Sequence, residues 1–124
     1  MMKTNRKVLI VDDEHPIADT LAAILQQNGF DVYVAYSGNR AIELALLIEP
    51  DLLVSDVMMP DKNGIEVAAA VREKLPQCRT LLFSGSASAT DLLKTARQSG
   101  YKGDILAKPV HPSDLLVKLD DLAA

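Results

Sequence analysis

The chain has 124 residues, of which 48% are hydrophobic and 24% are charged, and its formal net charge is −4 at pH 7. This length and composition are typical of one globular domain and exclude a disordered chain. The negative balance offers no basic face for a polyanion, so we expect no direct nucleic-acid binding.

The cysteine content and the N-terminal region point to a cytoplasmic protein. Cys78 is the only cysteine, which excludes an internal disulfide and fits a reducing compartment. Residues 1–7 include three basic side chains and are followed by an apolar run of only four residues, 8–11. That run is too short for a secretory signal or a membrane span, so we expect no membrane insertion.

Short apolar runs alternate with segments of helical period along the chain. Apolar and β-branched runs predict strands over 7–11, 31–35, 51–55, 80–83 and 104–107. Apolar residues at helical spacing predict a helix after each strand, over 17–25, 41–48, 67–75, 92–100 and 115–122. Ser88 and Asp91 have the spacing of a capping box for the fourth helix.

This order of elements indicates an α/β fold with one five-stranded parallel sheet. Continuously apolar strands in βα repeats are typical of a parallel sheet covered by helices on both faces. Five strands are too few for a closed eight-stranded barrel, which leaves an open, doubly wound sheet.

Polar side chains follow the first, third, fourth and fifth predicted strands. They are Asp12, Asp13, Asp56, Ser84 and Lys108. Taken singly, each has an ordinary explanation: a helix cap for either of the first two, a turn, a loop or a solvated cation for the others. Because an open parallel sheet binds its ligands outside the carboxyl ends of the strands, their joint occurrence there predicts a site.

The charges suggest the chemistry of that site. Three neighbouring carboxylates raise one another's pKa unless a cation lies among them. Mg²⁺ suits a site with few carboxylates and several retained waters. An aspartate can accept a phosphoryl group as an acyl phosphate, while Lys108 and Ser84 are suited to contact phosphoryl oxygens.

Four motifs, placed in this order on these elements, resemble the receiver domain of two-component response regulators. They are VLIVDDE (8–14), DLLVSDVMMPDKNG (51–64), LLFSG (81–85) and ILAKP (105–109). The resemblance runs from about residue 7 to residue 122. It implies a single receiver domain over residues 1–124 and the flavodoxin-like strand order 2-1-3-4-5.

The resemblance also assigns the acidic residues. Asp56 would be the phospho-acceptor, taking its group from a histidine kinase or a histidine phosphotransfer protein. Asp13 and Asp56 would bind Mg²⁺ directly together with the backbone carbonyl of Met58, with Asp12 acting nearby or through water. The domain would catalyse only its own phosphorylation and slow dephosphorylation.

The remaining motif residues receive roles by the same resemblance. Lys108 would contact the phosphoryl group, and Ser84 occupies the Thr/Ser switch position. Pro109 would follow a cis peptide bond, which an X–Pro bond permits at modest cost. Gly64 would supply a permissive backbone at the end of the loop after the third strand.

One departure from the family pattern concerns the output of the domain. Ile105 stands where receivers often carry Tyr or Phe, so an aromatic rotamer switch cannot operate there. A downstream protein, or a linked output domain absent from this chain, would read the phosphorylated state. The alternative is a docking module that binds its partner without phosphate. A phosphohydrolase or nucleotide-binding enzyme is disfavoured, since the chain lacks the glycine-rich phosphate loops.

Several other residues have ordinary interpretations. Met58 and Met59 are expected to fill gaps rather than to bind a soft metal. His15 and His111 are expected in loops, and Cys78 is expected to be half-buried. The second helix also carries three further leucines, Leu44, Leu46 and Leu47. They are expected either to be buried or to form a surface for a partner.

Overall fold

The structure, a computed structural model, describes residues 6–85, 89–108 and 111–123, apart from the side chains of residues 89–93 and 123. Within these residues five strands alternate with five helices. The strands are β1 (Lys7–Val11), β2 (Asp31–Ala35), β3 (Leu52–Asp56), β4 (Arg79–Ser84) and β5 (Asp104–Ala107). The helices are α1 (His15–Gln27), α2 (Gly38–Ile48), α3 (Gly64–Lys74), α4 (Ala89–Gln98) and α5 (Pro112–Ala123).

The strands form one parallel sheet in the order β2-β1-β3-β4-β5, so the predicted fold class is confirmed. The predicted bounds of two strands were wrong. The third strand covers 52–56 rather than 51–55, and the fourth covers 79–84 rather than 80–83. The parallel register pairs Asp56 with Phe83. The pairing therefore carries β3 one residue further than the predicted strand, and makes Asp56 part of the sheet.

The three central strands, β1, β3 and β4, are buried on both faces of the sheet. Consecutive residues of β1 point to opposite sides, so Leu9 and Val11 join one core cluster while Val8 and Ile10 join the other. The first cluster includes residues of α2, α3 and α4, and the second includes residues of α1 and α5. This two-sided burial explains why the strands read as continuous apolar runs rather than as alternating ones.

The start of α1 differs from the sequence-based expectation. His15 is the first residue of the helix rather than a loop residue, and its ring stacks on Tyr36 with centroids 3.7 Å apart. Glu14 occupies the N-cap position and makes no side-chain cap bond, so neither Asp12 nor Asp13 caps α1. Asp12 instead accepts a hydrogen bond from the backbone N–H of Glu14 at 3.0 Å.

The other helix termini are defined by local chemistry. Ser37 caps α2 by accepting a hydrogen bond from the Arg40 backbone N–H at 3.2 Å. Asn63 and Glu66 form a capping box at α3 that the sequence reading did not recognise. The expected capping box of Ser88 and Asp91 lies outside the described residues. His111 precedes α5, outside any helix or strand, as expected.

Two expectations about apolar side chains were wrong. Cys78 is buried, with 2% of its surface exposed, rather than half-buried. Met58 is 69% exposed and fills no gap, whereas Met59 packs against the core. On α2, Leu44 packs against the core while Leu46 and Leu47 are exposed.

Gly64 is required by a close approach rather than by an unusual backbone conformation. Its φ lies outside the left-handed region, but a Cβ at this position would collide with the backbone oxygen of Asp56. The expectation of a permissive φ at Gly64 is therefore replaced by a steric reason. The first turn of α3 lies directly against the end of β3.

We expect Gly64→Ala to lower the free energy of unfolding by about 1–3 kcal/mol, because the added methyl group overpacks this junction. Urea unfolding followed by circular dichroism would measure the change. Gly85→Ala is the matched control, since among the described residues its Cβ would meet the Lys108 Cδ alone, at an ordinary contact distance of 3.8 Å. Equal losses in the two variants would contradict the steric explanation.

Candidate functional site

Three carboxylates meet at the carboxyl edge of the sheet. Asp12 and Asp13 follow β1, and Asp56 ends β3. One carboxylate oxygen from each residue lies within 4.8 Å of the others. Asp12 is 0% and Asp56 is 4% exposed, whereas Asp13 is less buried. The acidic residues singled out in the sequence therefore form one cluster, despite a separation of more than forty positions.

Lys108 supplies a cation to this cluster. Its Nζ lies 3.2 Å from the Asp56 Oδ2 and 3.5 Å from the Asp12 Oδ2. Its backbone N–H donates a hydrogen bond to the Ser84 carbonyl at 2.8 Å, which fixes the chain beyond β5 against the end of β4. The ammonium group thus lies between two buried or nearly buried carboxylates.

Two further side chains contact Lys108 that the sequence analysis had not assigned. Glu14 Oε1 lies 3.7 Å from the Lys108 Nζ, and the Phe83 ring centroid lies 5.1 Å from it. Glu14 could have been suspected as the third acid of its motif. Phe83 carries no sequence signal, since it reads as an ordinary apolar strand residue.

Ser84 belongs to the same edge. It is the last residue of β4, is fully buried, and pairs in register with Ala107, the residue before Lys108. Asp56 pairs with Phe83, so Ser84 lies one residue beyond the register partner of that carboxylate. The parallel register therefore explains why all five predicted residues share one edge.

The loop from Val57 to Asn63 is anchored at both ends. The Val57 N–H donates to the Phe83 carbonyl at 3.0 Å, and the Gly64 N–H donates to the Val57 carbonyl at 2.9 Å. Asp61 accepts hydrogen bonds from the backbone N–H groups of Gly38 and Asn39 at 3.1 and 2.7 Å. These bonds hold the loop to the first turn of α2.

The backbone donors also set the charge of Asp61. The N–H groups of Asn39 and Gly38 lower its pKa to about 2. The carboxylate is therefore the stable form, and it faces the N-terminal end of a helix, where negative charge is favoured. Sequence reasoning missed this residue, because an aspartate in a loop has no signature of a partner 22 positions away.

The electrostatics of the site are unfavourable to an ionised Asp56. Burial raises the pKa of Asp56, Lys108 opposes this effect, and Asp12 adds to it, so that the pKa is raised overall. For Lys108, burial lowers the pKa, but Asp56 and Asp12 raise it, and the net direction is upward. Burial is therefore the main reason that the charged form of Asp56 is disfavoured.

A cavity of about 610 Å³ opens above these groups. Its lining includes Asp13, Glu14, Asp56, Met58, Gly85 and Lys108. The donors that face it are carboxylate oxygens and one ammonium group, with no thiolate or imidazole among the described lining residues. Hard oxygen donors of this kind suit Mg²⁺.

Ile105, in β5, carries no aromatic ring. Ile105 is half-buried and packs against the core cluster that contains Leu82 and Tyr101. Tyr101, at the opposite edge of the sheet, is buried and donates a hydrogen bond to the Asp104 carbonyl at 2.8 Å. Pro109, for which a cis peptide bond was expected, lies outside the described residues.

Comparisons with known proteins agree with this geometry. Residues 8–120 match the family model "Response regulator receiver domain". The chain is 30% identical to the Vibrio cholerae chemotaxis protein CheY4, with a TM-score of 0.86, over 96% of this chain and 99% of that one. It is 30% identical to the Francisella response regulator 1452 receiver domain, with a TM-score of 0.83, over 95% and 96% of the two chains.

A further similar structure is the BeF3-activated DrrB receiver domain, which is 27% identical over 97% of this chain and 98% of that one, with a TM-score of 0.82. The chain therefore belongs to the response regulator receiver domain family. Members of this family are signalling modules of two-component systems rather than classical enzymes. None of the described helices is both long and apolar enough to cross a membrane.

The raised pKa of Asp56 gives a prediction for stability without metal. At pH values between the pKa of Asp56 in the unfolded chain and its higher pKa in the folded protein, the folded protein binds more protons. The free energy of unfolding therefore falls as pH rises through this range. Above the folded pKa the ionised group is unfavourable to folding. We expect Asp56→Asn to raise the free energy of unfolding at pH 7 by about 1 kcal/mol, or about 4 °C in Tm.

Asp61→Asn is the matched control, with the opposite sign. Since the pKa of Asp61 is lowered to about 2, its contribution is favourable above the unfolded pKa and is lost as pH falls through the folded one. We expect this variant to be less stable at pH 7. Thermal unfolding from pH 3 to pH 8 in the presence of a chelator checks both signs, and a lower Tm for Asp56→Asn would contradict the first.

Proposed function

We propose that residues 1–124 act as one receiver domain that is switched by phosphorylation of Asp56. The observation that carries the proposal is the placement of this carboxylate between two other acids and Lys108, at the mouth of a cavity. A phosphoryl group that enters the cavity would meet the acceptor, a cation and a buried hydroxyl residue at one edge.

The acidic cluster fits Mg²⁺, and its electrostatics support this assignment. Asp13 and Asp56 would hold the ion with the backbone carbonyl of Met58, and Asp12 would act nearby or through water. Three carboxylates face one ammonium group, which leaves negative charge that a divalent cation would offset. When bound, the ion would neutralise charge on the phosphoryl oxygens.

The chain's own residues would carry out the transfer. A carboxylate oxygen of Asp56 would form a bond to phosphorus while the bond from phosphorus to the donor imidazole nitrogen breaks, and the imidazole leaves with the bonding pair. Lys108 would turn from Asp56 to a phosphoryl oxygen, which it can bind as a point charge. Ser84 would hydrogen-bond another phosphoryl oxygen. This new bond would change the position of the chain that follows β4.

The partners follow from this chemistry. The donor would be a histidine kinase or a histidine phosphotransfer protein, and a downstream protein or a linked output domain would read the phosphorylated state. We propose that this takes place in the cytoplasm, the compartment that fits the single unpaired cysteine. The only reactions catalysed would be the domain's own phosphorylation and its slow hydrolysis.

Phosphorylation can be tested with a small phosphodonor such as acetyl phosphate in the presence of Mg²⁺. We expect the intact mass to rise by one phosphate, and the adduct to be sensitive to hydroxylamine. Asp56→Asn should abolish the adduct, because Asp56 is the one acid of the three that both lines the cavity and lies against Lys108. Asp61→Asn, a loop carboxylate outside the cluster, should retain it.

A chelator should suppress labelling of the wild-type protein, since the acids would then repel the donor. An unchanged adduct in Asp56→Asn would overturn the assignment of the acceptor. An adduct that forms equally well with chelator would overturn the role of the metal while leaving the acceptor in place.

A second candidate is a docking module that binds its partner regardless of phosphate. Ile105 favours it, since this side chain packs against the core without an aromatic ring that could change rotamer. Partner affinity measured with and without beryllofluoride, a mimic of the phosphoryl group, separates the two. We expect a change of at least about tenfold for the switch, and equal affinities would favour the docking module.

A further inference from the structure

A second cavity lies at the opposite, amino edge of the sheet. Its volume is about 510 Å³, and its lining includes Arg72, Pro76, Gln77, Arg79, Thr80, Lys102, Gly103 and Leu122. Residues from the end of α3, the start of β4 and the segment before β5 therefore converge on it. A volume of this size is within the usual range for small-molecule sites.

The charged side chains that line this cavity, among the described residues, are all positive. The described lining residues include three cations, Arg72, Arg79 and Lys102, and no carboxylate. Within the described part of the chain none of these cations forms an ion pair. The nearby Asp104 already pairs with two other cations, Arg97 at 3.8 Å and Lys118 at 2.9 Å.

A buried hydroxyl group provides an independent observation. Thr80 is 2% exposed and lines the cavity, and its Oγ1 has no hydrogen-bond partner among the described residues. The backbone oxygen of Thr80 is already approached by the Tyr101 hydroxyl at 3.4 Å. A buried polar group without a partner is unfavourable, so a ligand that bonds to this hydroxyl would stabilise the fold.

We propose that this cavity binds a small oxyanion of the phosphate monoester class. A guanidinium group can engage two phosphate oxygens in parallel, a lysine adds a point charge, and a hydroxyl donates to a further oxygen. The volume exceeds that of inorganic phosphate, so it leaves room for the organic part of a metabolite-sized ester. This binding would be separate from phosphorylation at the carboxyl edge and does not rest on it.

The amide NMR spectrum of the protein tests the proposal by titration with inorganic phosphate and with phenyl phosphate, at constant ionic strength and without Mg²⁺. We expect saturable shifts at Thr80, Lys102 and Gly103, with phenyl phosphate binding more tightly than phosphate. Chloride at the same ionic strength should leave these amides unchanged. The titration is repeated on Asp56→Asn, so that any effect at the carboxyl edge is excluded.

Variants identify the contributing groups. Arg72→Gln combined with Arg79→Gln should weaken binding by about tenfold or more, since each removes a charge-assisted contact. Thr80→Val, which keeps the side-chain shape, should weaken binding without lowering the Tm of the free protein. Arg40→Gln on α2 is the control for a general loss of positive charge and should bind as the wild type does.

Three results would overturn the proposal. One is shifts that rise linearly with phosphate and are matched by chloride, which would indicate ionic screening alone. The second is unchanged affinity in Thr80→Val and in the double arginine variant, which would show that phosphate binds elsewhere on the protein. A loss confined to Asp56→Asn would instead place the binding at the carboxyl edge.

Discussion

The site depends on the repulsion among three carboxylates and on the one ammonium group set against them. Asp12 and Asp56 are held in the buried edge of a rigid sheet, so they cannot move apart to reduce the repulsion. Lys108 compensates part of this charge at 3.2 Å from Asp56, and burial works against both partners. The folded site can therefore accept a further cation. Beside that cation it can accept an anionic group, towards which Lys108 would move.

Much of the fold and the site could be read from the sequence, because both follow from simple repeats. Buried parallel strands require continuous apolar runs, and their carboxyl ends must share one edge. That rule alone predicts that Asp12, Asp56 and Lys108 lie close together. The C-terminal ends of β3 and β4 were predicted one residue early, because hydrogen-bonded pairing continues past the last apolar residue, as it does from Asp56 to Phe83 and from Ser84 to Ala107.

The features that the sequence did not predict are long-range polar and aromatic contacts. Asp61 bonds to backbone donors of α2, Phe83 lies under the lysine, and the His15 ring stacks on Tyr36. Each depends on the position of a partner many residues away, and single-residue preferences carry no such information. The cation-lined cavity was missed for a related reason: Arg72, Arg79 and Lys102 are separated in the chain and lie at an edge where strands begin.

The anchoring of the β3–α3 loop has a consequence for the kinetics of ligand capture. One end of the loop is bonded to β4, the Gly64 N–H closes the other end onto Val57, and Asp61 joins the loop to a neighbouring helix. The entropy of ordering this segment is therefore lost when the chain folds rather than when an ion arrives. The rate of ion binding should then be set by diffusion and by the displacement of water, since no loop has to close first.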